Sequence, residues 1–88
     1  MERELRKAIA SKLKIVRIEN NDTMRSLSKK TKLSVSTIFR YEHGKYDMTI
    51  DIIAKILNCY NINIAIFFEE VIAKMHSKEQ VWKPQTKF

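Results

Sequence analysis

Leu5, Ile9, Leu13 and Val16 recur at every third or fourth position, Ala8 and Ile15 widen the stripe, and basic residues fill the other face. This is the period of an amphipathic helix and predicts one over residues 3–20. Asn20-Asn21 ends it, because asparagine tolerates the left-handed conformation almost as well as glycine. Thr23 then caps a second helix with Met24, Leu27 and Thr31 inward and Arg25, Lys29 and Lys30 outward. Lys32 marks a turn, Leu33 packs inward, and Ser34 caps a third helix that stops at Gly44. After a polar turn at 45–48, Thr49 caps a fourth helix whose apolar face is Ile50, Ile53, Ile56, Leu57 and Tyr60. Asn61 ends that helix and Asn63 caps a fifth, over 64–75. The periodicity is lost in 77–88, where Val81, Trp82 and Phe88 are the apolar residues of a tail or arm.

The expected architecture is therefore all-α, a compact five-helix domain in a chain of 88 residues. One glycine and one proline in the whole chain fit helices joined by tight turns. Hydrophobic residues at 44% and charged residues at 31% describe a globular chain with a modest core. The single cysteine, Cys59, excludes an internal disulfide and falls in an apolar periodic segment, as a reduced core thiol would. The longest apolar run, Ile64 to Phe68, is far short of a membrane span, and residues 1–4 lack the apolar run of a signal peptide. These features make a cytoplasmic location the expectation.

Charge changes the picture because it is uneven. The chain has 17 Lys plus Arg against 10 Asp plus Glu, a net of +7. Residues 23–45 hold six basic side chains and one acidic, so five of the seven excess charges lie in the segment that spans the second and third helices. A basic face attracts phosphates and releases their counterions, the origin of sequence-independent nucleic-acid affinity. Two short capped helices joined by a tight turn form a helix-turn-helix unit, whose second helix fits the major groove while the first braces it.

The outward side of the third helix is Val35, Ser36, Phe39, Arg40 and His43, since Ile38 and Tyr41 fall on the opposite side. Arg40 can bond guanine O6 and N7 together or clamp a phosphate. Ser36 can reach a base edge or water. Val35 and Phe39 can touch thymine methyls, while Phe39 can also fold onto Val35 or meet a partner subunit. Thr23, Ser34 and Thr37 lie at helix N-termini, where a capping role and a phosphate contact are compatible. Arg25, Lys29, Lys32, His43 and Lys45 complete the expected phosphate-contacting set.

Other chemistries find little support. His43, His76 and Cys59 match no zinc spacing, one glycine does not make a phosphate loop, and Glu69-Glu70 point apart on a helix. No metal, cofactor or catalytic residue is expected, and the protein is not read as an enzyme.

Leu27, Leu33-Ser34, Ser36-Thr37-Ile38, Arg40, Glu42 and Gly44 form one combination, continued by Thr49-Ile50, Ile53, Ile56, Ile62-Asn63-Ile64 and Phe67-Phe68. On these residues the segment 13–68 resembles the lambda-repressor-like, XRE-type helix-turn-helix regulators. The resemblance implies a DNA-binding domain over 1–76 with a tail at 77–88, and a structural ion pair between Arg17 and Glu42. It also implies a small transcriptional regulator, a dimeric repressor that reads a palindromic operator in double-stranded DNA. Two positions depart from the family pattern: Met24 stands where glutamine is usual, and Lys32 where glycine is usual.

A two-fold dimer needs an interface, and Val71, Ile72, Met75, Val81 and Trp82 are the candidates; Ile64, Phe67 and Phe68 are expected to close the core instead. The rival reading is an antitoxin-type module whose tail docks on a toxin, and contact with polymerase is a further partner to consider.

Overall fold

The computed structural model describes residues 2–78. Five helices follow one another: α1 (Arg3–Glu19), α2 (Met24–Thr31), α3 (Val35–Glu42), α4 (Ile50–Asn58) and α5 (Ile64–Lys78). α1 packs on α3 and α5, α2 packs on α3 and α4, and α4 packs on α5. Ile9, Leu13, Val16, Leu27, Ile38, Met48, Ile53, Ile56, Leu57, Phe67 and Val71 form one buried cluster among them. Every helix contributes to that core, so none of the short helices depends on its own propensity to persist.

Each boundary has a local cause. Glu2, Thr23, Ser34 and Thr49 accept hydrogen bonds from the backbone N–H of Leu5, Ser26, Thr37 and Ile52, and so cap α1 to α4. Asn63 Oδ1 accepts from the N–H groups of Ala65 and Ile66 at the start of α5. Asn21, Lys32, Gly44 and Asn61 have positive φ and turn the chain after α1, α2, α3 and α4. At Gly44 the conformation, φ +68°, is the constraint. A Cβ there would meet Lys7 and Ala10 of α1 only at ordinary contact distance. Lys32 takes the same left-handed conformation, φ 67°, without the freedom of glycine, at a cost of about 1 kcal/mol.

Four expectations are corrected. Ile50, placed on the apolar face of α4, is 61% exposed, because it opens the helix beside its cap while Ile53, Ile56 and Leu57 turn to the core. Ile15 is at the solvent edge of α1. Val71, expected to face a partner, is 2% exposed: α5 crosses α1 so that Phe67 and Val71, one turn apart, both enter the core. α5 also runs on to Lys78, three residues beyond its expected end.

Candidate nucleic-acid interface

α3 is held by its inner side. Ile38 is buried and Tyr41 half-buried, and Glu42 receives two hydrogen bonds from Arg17: Nε to Oε2 at 2.7 Å and Nη2 to Oε1 at 3.0 Å. Both partners lie below 9% exposure, so this is a buried, bidentate ion pair tying α3 to α1. The hydrogen bond to Glu42 outweighs desolvation and raises the Arg17 guanidinium above its ordinary pKa. Nη1 of Arg17 donates to the Asp22 carbonyl at 2.8 Å, so one side chain fixes both α3 and the segment entering α2.

A second buried-edge network, not foreseen from the sequence, holds α2. Asp22 Oδ2 accepts from the Tyr60 hydroxyl at 2.8 Å and from Lys30 Nζ at 3.0 Å, while Oδ1 accepts from the Thr23 N–H. Burial pushes the Asp22 carboxyl up, but hydrogen bonds from Ser26, Tyr60 and Lys30 and the Lys30 charge together outweigh it and hold it at about 2. Tyr60 is pushed well above its ordinary value by desolvation and by the Asp22 carboxylate. Tyr60, expected on the apolar face of the fourth helix, lies in the turn just beyond the end of α4 at Asn58; the available signal was a hydroxyl at the end of an apolar row, since a half-buried hydroxyl needs a partner. Lys30, which the spacing turns outward on the second helix, pairs with Asp22 in this network and lies over the Tyr60 ring.

The turn between α2 and α3 is closed by Ser28, whose hydroxyl donates to the Leu33 carbonyl, and by the Lys32 N–H, which donates to the Ser28 carbonyl. Lys55 of α4 donates to the Thr31 carbonyl at 3.3 Å, satisfying the end of α2. Met24, where glutamine is usual, is half-buried against the core.

On the outer side of α3, Val35, Ser36, Phe39, Arg40 and His43 are all exposed. Around them Arg25 and Lys29 stand one turn apart on α2, Lys32 lies in the turn and Lys45 follows α3, all exposed. Thr23 and Ser34 are exposed at the two helix starts, but their oxygens already accept backbone N–H bonds as caps. Thr37 is half-buried and its hydroxyl accepts from Ser34 Oγ at 2.8 Å. Of the base-reading and phosphate-contacting candidates, all but the half-buried Thr37 are therefore exposed on or beside the α2–α3 unit.

Two ring contacts on this face were missed by sequence reasoning. Phe39 stacks on His43, with centroids 3.9 Å apart and planes 16° from parallel. The Arg40 guanidinium lies 5.6 Å from the centre of the Tyr46 ring, which meets Tyr41 edge to face. Such pairs are worth about 0.5–1.5 kcal/mol and restrict side chains that would otherwise be loose.

α5 exposes Ala65, Ile66, Glu69, Ile72, Ala73 and Lys74, and Glu70 pairs with Lys12 of α1 at 2.8 Å. Of the interface candidates, Ile72 is exposed and Met75 half-buried, whereas Val81 and Trp82 lie outside the described residues. The toxin-docking reading rests on the same tail. Among the described residues no helix is long and apolar enough to cross a membrane.

Comparison with solved structures agrees with this geometry. The clp gene regulator ClgR from Corynebacterium glutamicum superposes with a TM-score of 0.80 at 20% identity, over 86% of this chain and 81% of that one, a likeness of fold. A point variant of the restriction-modification controller protein C.Esp1396I matches with a TM-score of 0.76 at 25% identity, over 85% and 95% of the two chains. The tetramer of that controller in complex with its natural 35-base-pair operator gives 0.74 at 25% identity, over 82% and 95%. No curated protein matches the sequence. A helix-turn-helix family model matches residues 13–67, more than half of the chain and the whole span from the second half of α1 into α5. The chain belongs to the XRE-type helix-turn-helix family of DNA-binding transcriptional regulators.

Proposed function

We propose that this protein is a small, non-catalytic transcriptional regulator of the cytoplasm that binds a palindromic operator as a homodimer and represses from it. Each protomer lays α3 in the major groove, where every base pair shows a distinct pattern of donors, acceptors and methyl groups. Arg40 bonds a guanine, Ser36 a neighbouring base edge, and Val35 and Phe39 the apolar part of the groove. Arg25, Lys29, Lys32 and Lys45 neutralise phosphates, and the amide ends of α2 and α3 at Thr23, Ser34 and Thr37 approach the backbone. The observation that carries this reading is the division of α3: Ile38, Tyr41 and Glu42 turned to the scaffold, and Val35, Ser36, Phe39 and Arg40 exposed amid cations.

The two-fold partner meets the α5 face at Ile66, Ile72 and Met75, joined by Val81 and Trp82 of the tail. Half-sites then fall ~34 Å apart along the duplex. Selecting bound sequences from a random DNA pool at two salt concentrations tests the proposal. A two-fold symmetric consensus is expected; uniform recovery with a steep salt slope would reduce the protein to a phosphate binder.

A further inference from the structure

Phe39 is 45% exposed, yet its ring is not loose. It lies against the His43 imidazole, one turn further along α3, and His43 Nδ1 is 2.8 Å from the Phe39 carbonyl oxygen. A carbonyl oxygen only accepts, so Nδ1 carries the proton and donates it. Residue 39 therefore holds the imidazole through its backbone while its ring is supported by that same imidazole. The other flank of Phe39 faces Val35, one turn back and 42% exposed. Together Val35 and Phe39 give the exposed side of α3 an apolar strip beside Arg40 of the same helix, and Arg25, Lys29 and Lys45 of the same two-helix unit are exposed as well.

Those cations select a polyanion as the occupant of this face, and the strip demands an apolar group upon it. On the base edges of the major groove the group of that kind is the 5-methyl of a pyrimidine, carried by thymine or by 5-methylcytosine. We propose that Phe39 reads one pyrimidine 5-methyl group in each half-site, and that His43 is a positioning residue that holds the Phe39 ring for this contact and is not a phosphate clamp. The proposal rests on the DNA reading above and gives it a specificity.

The test takes the selected operator and replaces its thymines one at a time with deoxyuridine, which removes the methyl group alone. One position per half-site should lose about fourfold in affinity, and about fifteenfold when both half-sites are changed. Cytosine and 5-methylcytosine are compared at the same position. A loss with uracil assigns thymine as the source, and a gain with 5-methylcytosine assigns the modified base. Indifference to both overturns the proposal.

Phe39→Ala should make the protein blind to the methyl while leaving the melting temperature near that of the parent. His43→Ala should lower the ratio of thymine to uracil affinities, and His43→Tyr, which keeps a stacking ring, should restore it. Equal weakening of both operators by His43→Ala would return His43 to the phosphate-contacting set and overturn its positioning role. Failure to select any sequence would sink the DNA reading together with this inference; tight, methyl-independent binding sinks this inference alone.

Discussion

α3 and α5 both expose large apolar side chains, and their surroundings give those side chains opposite meanings. On α3, Val35 and Phe39 are exposed in a segment, residues 23–45, that holds six basic side chains and one acidic, the buried Glu42. On α5, Ile66 and Ile72 share the exposed positions with Ala65, Glu69, Glu70, Ala73 and Lys74. The first surface has an excess of cations and attracts a phosphate backbone, whereas the second mixes both signs and has no such excess, so the second suits another protein surface. Exposure by itself therefore does not identify a partner; the charge around the exposed residue does. α3 packs on α1 and α2 whereas α5 packs on α1 and α4, so the two faces belong to different parts of the bundle.

The comparison can be broken most severely at the anchor of α3. Glu42→Ala strands the Arg17 guanidinium in a buried site and should destabilise the fold by about 3–5 kcal/mol, read in urea or thermal unfolding. Unchanged melting with altered base preference would instead make Glu42 a reader. The α5 face comes next: Ile66→Glu combined with Ile72→Glu should give a folded monomer, seen by sedimentation. Its operator affinity should drop on the order of a hundredfold, because two half-sites no longer bind as one unit. On the α3 face, Arg40→Ala should cost about 1–3 kcal/mol at one base position of the consensus and leave the dimer intact. A uniform loss across all sequences would assign Arg40 to a phosphate.

Asp22 sharpens the comparison through pH, since its network supports α2 behind the DNA-facing side. Its folded pKa of about 2 lies below the ordinary 3.8, so its contribution is complete above about pH 4 and fades as the pH falls towards 2. Asp22→Asn should flatten that limb of the stability curve, measured by unfolding between those limits; an unaltered limb would place the acid sensitivity elsewhere. The smallest effect is at the turn. Lys32→Gly relieves the left-handed strain, offset by a freer unfolded chain, for a net change within about 1 kcal/mol. The salt slope of binding should shrink by about one unit if Lys32 meets a phosphate.

Helix positions and ends were legible because their causes are local. Thr23, Ser34, Thr49 and Asn63 cap through bonds reaching two or three residues along the chain. The core-facing sides of α2 and α3 also follow from spacing alone, as Leu27, Thr31 and Ile38 illustrate. Spacing failed on α5, where apolar residues occur nearly all round. Val71 and Ile72 are neighbours of almost equal hydrophobicity, yet one is buried and the other exposed, because the crossing with α1 chooses the face. Periodicity likewise places His43 on the outer row of α3 but says nothing of its stacking, which depends on the rotamers of two side chains.

By itself the sequence determined the five helices, their caps, the concentration of positive charge on α2 and α3, and the side of α3 turned outward. Those properties depend on contacts within a few residues and on charges that can be counted. Only the tertiary structure decided which side of α5 stays free and how Asp22 gathers Lys30 and Tyr60. These depend on residues up to 38 positions apart meeting at a helix crossing, where small shifts in packing angle select the partner of a polar group.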